Sequence, residues 1–284
     1  MEIKLEFTDK EITAWGGMVL MKNLIDRTEV NEVLNRIGLP EQRSNRGYSP
    51  IQLINNFWVS IFIGANRFEH LEVTRQDEVI RKLFDWKKMA GHKSFQRYFS
   101  QRDKQKFTQA INQRVFTKLY QWFYEQISFD NYTLDLDSTI MTRYGEQQGV
   151  KKGYNPKKPG RKSHHPLMAF ISDVRMVVNF WLRSGDSYTS NNFYGFLEST
   201  FERLKGKTIG LLRADNGFYD KKIFEYLEKK QINYIISARM YEPIRYKISS
   251  QKLWLHLDKG IEIAETEYQS PMWERPRRTI IVRP

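Results

Sequence analysis

The stretch TLDLDSTIMTRYG, Thr133 to Gly145, sets two acids, Asp135 and Asp137, inside an otherwise apolar run. Leu134, Leu136 and Ile140 surround them, and the hydroxyl residues Ser138 and Thr139 follow. The pattern predicts a buried β-strand, and a carboxylate withdrawn from water needs something to compensate its charge. Strand alternation points Asp135 and Asp137 to the same face, so parity does not choose between them. Asp137 lies nearer the strand end, with Ser138-Thr139 behind it, and is the preferred candidate.

The segments after this strand extend the pattern. PLMAFISD (166–173) and RMVVNFWLRSG (175–185) predict a second and a third strand, joined by a tight turn at Asp173-Val174 as an antiparallel hairpin. SNNFYGFLESTFERLKGK (190–207) carries Phe193, Phe196, Leu197, Phe201 and Leu204 on one helical face. TIGLLRAD (208–215) predicts a fourth strand, DKKIFEYLEKKQ (220–231) a helix and INYIIS (232–237) a fifth strand. The order β-β-β-α-β-α-β predicts a mixed sheet flanked by helices, with strands one and four able to be neighbours.

Residues 1–128 read as helical after a strand-like start in which Ile3, Leu5 and Phe7 alternate. Ser49 and Pro50 open a helix as N-cap and first helical residue. Lys93–Asp103 predicts a short basic-aromatic helix, and Phe107, Ile111, Val115, Phe116, Leu119 and Phe123 recur at helical spacing over Lys104–Gln126. Past about Met240, KISSQKLWLHL, IEIAETEY and RRTIIVRP predict short strands. Three regions follow: a helical region (1–128), an α/β core (129–240) and a β-rich segment (241–284).

Forty-six Lys and Arg against thirty-three Asp and Glu leave a net charge of +13, which favours a polyanionic partner such as nucleic acid. The absence of cysteine excludes disulfides, thiolate zinc sites and a cysteine nucleophile. No apolar stretch is long enough to span a bilayer and the N-terminus lacks a signal-peptide core, so a cytoplasmic protein is expected.

Asp215, in LLRADNGFYD, ends the fourth strand as Asp137 ends the first. Asp215-Asn216-Gly217 also makes a good turn. Two carboxylates brought together repel unless protonated, paired with a cation or bridged by a metal, and hard divalent ions take such oxygen ligands. Between the first two strands, Arg143, Lys151, Lys152, Lys157, Lys158, Arg161 and Lys162 face the single acid Glu146. Three glycines and two prolines predict a loop there, placed to contact DNA phosphates. Tyr144 and Tyr154 are candidates for stacking or for anchoring that loop. His164 and His165 have no partner cluster and read as loop or strand-start residues. Trp254 and Trp273 read as packed residues of the β-rich segment, with base stacking as the alternative.

LDLDST, the basic loop and LLRADNGFYD, in that order, resemble the DDE-domain transposases of bacterial insertion sequences, group 1 branch. The resemblance covers essentially the whole chain and is strongest from Leu134 to Ser237. It implies a ribonuclease H-like catalytic core with a β-rich insertion, a Mg²⁺ or Mn²⁺ cofactor, and cleavage and strand transfer at the ends of a DNA element. Asp137 falls in the family's D-S/T-T context and Asp215 in its R-A-D-S-G-F context, where Asn216 stands for the usual Ser. Both are implied catalytic metal ligands, with Arg213 neutralising local charge or touching phosphate. Double-stranded DNA, a homodimer joining two ends and a nucleoid-associated location are implied in the same way. The family's third acid, a Glu on a helix after the insertion, has no match: Glu262, Glu265 and Glu267 lie in a strand pattern. The chain is therefore expected to stop before that acid and to be inactive alone. A stand-alone metal-dependent nuclease and a non-catalytic DNA-binding remnant are the rival readings.

Overall fold

The computed structural model describes residues 9–41, 47–100, 109–128, 130–188, 190–257 and 260–284. The expected alternation at Ile3, Leu5 and Phe7 lies outside them, as do Arg102 and Phe107. The chain divides into two compact units, Met1–Gln126 and Ile127–Pro284.

The first unit is helical: α1 (Met18–Thr28), α2 (Val30–Ile37), α3 (Pro50–Phe62), α4 (Leu71–Arg75), α5 (Glu78–Leu83), α6 (His92–Phe99) and α7 (Gln109–Glu125). Ser49 caps α3 by accepting from Gln52 N, and Pro50 begins it, because the first helical turn needs a side-chain acceptor and tolerates a missing N–H. Glu72 of α4 reaches the start of α6, accepting from His92 N at 2.9 Å and lying 2.7 Å from His92 Nδ1. These two bonds, the backbone one first, hold its carboxyl down at about 2. Leu53, Leu71, Ala90, Phe95 and Tyr98 form one buried cluster, with Phe57, Phe68 and Phe99 against it. The aromatic stripes of this region are packing between helices.

The second unit begins with β1 (Asn131–Ser138), β2 (Met141–Thr142), β3 (Lys151–Lys152), β4 (Lys162–His164), β5 (Leu167–Ile171) and β6 (Met176–Trp181). It continues as α8 (Phe193–Arg203), β7 (Thr208–Ala214), α9 (Lys221–Lys229), β8 (Asn233–Ile236), α10 (Glu242–Ser249), β9 (Leu255–His256), β10 (Glu262–Tyr268) and β11 (Arg277–Arg283). The main sheet has the order β6-β5-β1-β7-β8. β5 and β6 run antiparallel to their neighbours, whereas β1, β7 and β8 are parallel. In order of appearance this is 3-2-1-4-5, the ribonuclease H-like arrangement. The hairpin and the pairing of the first and fourth strands are both present.

One face of β1 is core: Tyr132, Leu134 and Leu136 are buried, and so are Leu167, Ala169 and Ile171 on β5 and Leu212 on β7. Phe193, Phe196 and Leu197 of α8 and Ile223, Phe224 and Leu227 of α9 add to this core. Asn179 on β6 is fully buried, and its Nδ2 shares its two protons among Phe196 O, Ser199 Oγ and Thr200 Oγ1 on α8.

Two expectations need correction. The segment after Met240 does not start as a strand: α10 begins at Glu242 with Pro243 in its first turn, and the strand there shrinks to β9. The basic stretch is also not a bare loop, because β2, β4 and β3 pair as a second three-stranded sheet. β9, β10 and β11 form the third sheet. Among the described residues no helix is long and apolar enough to cross a membrane.

Candidate active site

β1 and β7 run parallel with Asp135 opposite Arg213 and Leu136 opposite Ala214. The next residue of each chain segment is an acid, Asp137 on one side and Asp215 on the other. Neighbouring strands lie about 4.8 Å apart, so continuing this register by one residue would set the backbones of the two acids about one strand spacing apart. Both stand where parallel strands end, the edge at which open α/β sheets build their sites.

Asp137 Oδ1 accepts from Ser138 N at 2.7 Å, and Asp215 Oδ1 accepts from Gly217 N at 2.9 Å while capping the turn Asn216–Phe218. No Lys or Arg among the described residues pairs with either acid, so one oxygen of each, Oδ2, remains for another ligand. The donor set, two exposed carboxylates each with one oxygen outside these bonds, suits a hard oxygen-seeking cation. Among the described residues no cluster of three His, Cys, Asp or Glu side chains is placed to hold a metal.

The acids are not withdrawn from water as the apolar run suggested. Their face of β1 lies opposite the core; Asp137 is exposed and Asp135 half-buried. Asp135 is compensated from within: Arg213 donates Nε to Oδ1 and Nη2 to Oδ2, each at 2.6 Å. That pairing raises the guanidinium pKa and occupies the fork expected to neutralise charge or touch phosphate. Arg213 Nη2 also donates to Ser172 Oγ at 3.1 Å.

Six residues after Asp137 the second sheet begins to present its cations. Lys151, Lys152, Lys157, Lys158 and Arg161 are exposed. Lys151 pairs with Asp186 at 3.0 Å and Lys162 with Glu146 at 2.5 Å, contacts that water screens. Arg161 lies over the Tyr144 ring at 5.8 Å. Arg143 turns inward, donating Nε to His164 Nδ1, while His164 Nε2 bonds Gln148 O. Buried Asn155 donates to Thr142 Oγ1 and accepts from Lys158 N, which fixes the turn carrying Lys157 and Lys158. Gly153 and Gly185 cross so closely that a Cβ on Gly153 would sit 1.8 Å from the carbonyl oxygen of Gly185. Only glycine fits such a crossing.

Two of the late acids are spoken for: Glu262 pairs with Arg283 and Glu265 with Arg278 across β10 and β11. Trp273 packs against Tyr219, Phe224 and Tyr268, and Arg283 lies over Trp254 at 3.7 Å. Sequence reasoning took His165 for a loop or strand-start residue, since its position beside the second strand was its only signal.

A family model described as the transposase DDE domain, group 1, matches residues 1–283. Among solved structures, a piggyBac transposase synaptic complex with hairpin DNA aligns at 12% identity and a TM-score of 0.43, covering 93% of this chain. The chain spans 59% of the length of that piggyBac chain. A Mos1 transposase paired-end complex with the left transposon end aligns at 9% identity over 73% of each chain, with a TM-score of 0.28. A Mos1 mariner paired-end complex with Mn aligns at 9% identity over 84% of this chain and 90% of that one, with a TM-score of 0.26. No curated protein matches the chain.

Proposed function

The chain belongs to the transposase DDE domain family, group 1, and from that membership we propose that it binds the ends of a DNA element and carries part of the centre that cuts and joins them. The observation that supports this reading is that Asp137 and Asp215 each follow the last paired residues, Leu136 and Ala214, of two adjacent parallel strands, with no cation paired to either among the described residues. Asp135, two residues earlier, is paired with Arg213, which favours Asp137 for the role.

Asp137 and Asp215 are the residues that would hold Mg²⁺ or Mn²⁺. When bound, such an ion supplies Lewis-acid activation of a nucleophile and charge stabilisation at a phosphodiester. The chain's own residues do the rest. The backbone amides of Ser138 and Gly217 orient one oxygen of each carboxylate, and the exposed Lys151, Lys152, Lys157, Lys158 and Arg161 hold phosphates beside them. Such contacts position a duplex without reading its sequence.

By itself the chain is proposed to bind DNA without cutting it. Two carboxylates leave a metal loosely held, and misplacement of reacting atoms by about 1 Å costs on the order of a hundredfold. A Mn²⁺-dependent nicking assay on DNA that the chain binds tests both parts. Binding with no nicking is expected. Nicking abolished by Asp215→Ala would show a complete centre within the chain, and absence of DNA binding would refute the reading.

A further inference from the structure

His165 is buried, 7% exposed, and its ring joins two segments far apart in sequence. Nδ1 lies 2.6 Å from Ser187 O, in the connection between β6 and α8, and Nε2 lies 3.2 Å from Ser138 Oγ, at the end of β1. A carbonyl only accepts, so Nδ1 carries a proton, and in the tautomer protonated there alone Nε2 offers a lone pair. The Ser138 hydroxyl donates to it. The backbone on either side is also fixed: His165 N donates to Arg183 O at 3.0 Å, and Arg183 Nε returns a bond to His165 O at 3.1 Å. Arg183 is itself buried and bonds Tyr188 O and Asn191 O, so the connection that supplies Ser187 is held from a second direction.

Ser138 links this network to the candidate site. Its side chain meets His165, and its backbone N–H donates to Asp137 Oδ1. A rotation of the Ser138 backbone would move that N–H and, with it, the carboxylate. We propose that His165 is a positioning residue, which fixes Ser138 so that Asp137 keeps Oδ1 bonded and Oδ2 turned outward. The inference rests on the reading of Asp137 as a metal ligand. Partners beyond the ligand shell typically change metal affinity by about 10- to 100-fold when removed. His165 acts through one intervening residue, which puts its effect near the lower end, about tenfold.

The test is Mn²⁺ binding by the full chain, followed by electron paramagnetic resonance, with thermal unfolding as the check on folding. His165→Asn keeps a donor for Ser187 O and loses reach to Ser138; His165→Gln keeps an acceptor for Ser138. About tenfold weaker Mn²⁺ binding is expected for His165→Asn, and recovery to within about threefold for His165→Gln. Ser138→Ala should match His165→Asn, and the double variant should be no worse than either single one, because both break the same link. A purely structural histidine would show additive losses and no rescue by glutamine. If His165→Asn does not fold, Ser138→Ala alone decides: unchanged binding overturns the proposal. Wild-type affinity in His165→Asn, with Asp137→Asn abolishing binding, overturns the positioning role but leaves the metal reading standing. Unchanged binding in Asp137→Asn overturns both.

Discussion

Asp135 and Arg213 are register partners on β1 and β7, and the guanidinium fork closes on both carboxylate oxygens at 2.6 Å. The same strand therefore carries one acid that is neutralised and, two residues on, one that is not. Asp135→Asn and Asp137→Asn should separate accordingly. Asp137→Asn is expected to abolish Mn²⁺ binding, and Asp135→Asn to leave it within about threefold, with a stability change under about 1 kcal/mol for an exposed pair. Calorimetric titration of both variants checks this. Equal losses would mean that the ion pair opens to give Asp135 to the metal.

DNA affinity should come from the second sheet and not from the acids. Replacing Lys151, Lys152, Lys157 and Lys158 together by Ala is expected to weaken binding and to flatten the slope of log affinity against log salt, by roughly 0.9 for each phosphate no longer neutralised. Asp137→Asn should leave the slope unchanged. Fluorescence anisotropy at several salt concentrations measures both. An unaltered slope in the quadruple variant would show that the lysines face only water.

Glu228 predicts an acid-sensitive window. Burial pushes its carboxyl up, but bonds from Arg277, Arg275 and Tyr234 outweigh burial and hold it at about 2, against 4.5 for a free side chain. A folded value below the unfolded one means stability that is complete above about pH 4.5 and drains away as pH falls through 2. Glu228→Gln should cost about 2 kcal/mol at pH 7, the usual scale for hydrogen bonds to a charged group. The difference from wild type should vanish near pH 2. Thermal unfolding between pH 2 and 7 reads it out; a gap independent of pH would remove Glu228 as its source.

Asn179 ties β6 to α8 through one amide nitrogen whose two protons are shared among three acceptors, and its Oδ1 accepts from Phe180 N at 2.9 Å. Asn179→Ala leaves these groups without that partner inside the core, at a cost of about 2–3 kcal/mol. The midpoint of urea unfolding should fall with an unchanged slope. A shift equivalent to less than about 0.5 kcal/mol would show that the α8 hydroxyls re-pair among themselves.

The five strands of the main sheet were legible because each is a short apolar run closed by turn residues, and the first and fourth were adjacent as their order suggested. The Asp135–Arg213 pair was not legible, since parity fixes a side chain's face and says nothing of a partner 78 residues away. α10 was missed because its last residues, Lys247–Ser249, were taken as the start of the strand KISSQKLWLHL. The better signal was Tyr241-Glu242-Pro243, which puts proline in a first helical turn. The strands of the basic stretch were hidden by its glycines and prolines, although Gly153 is what lets the segment pass against Gly185. His165 needed the tertiary structure, because Ser138 and Ser187 are distant in sequence.

The crossing of Gly153 and Gly185, together with the buried anchor at Asn155, bears on the thermodynamics of DNA capture. Lys152, Lys157 and Lys158 hang from a backbone set before any phosphate arrives, so binding has only side-chain rotamers left to order, at about 0.5–1.5 kcal/mol each. A freely coiling basic segment of the same charge would also have to surrender its backbone freedom, about 1–2 kcal/mol per residue. Preorganisation of this kind makes the affinity of the lysine cluster depend on two residues that carry no charge. A side chain at Gly153 would loosen DNA binding without removing a single cation.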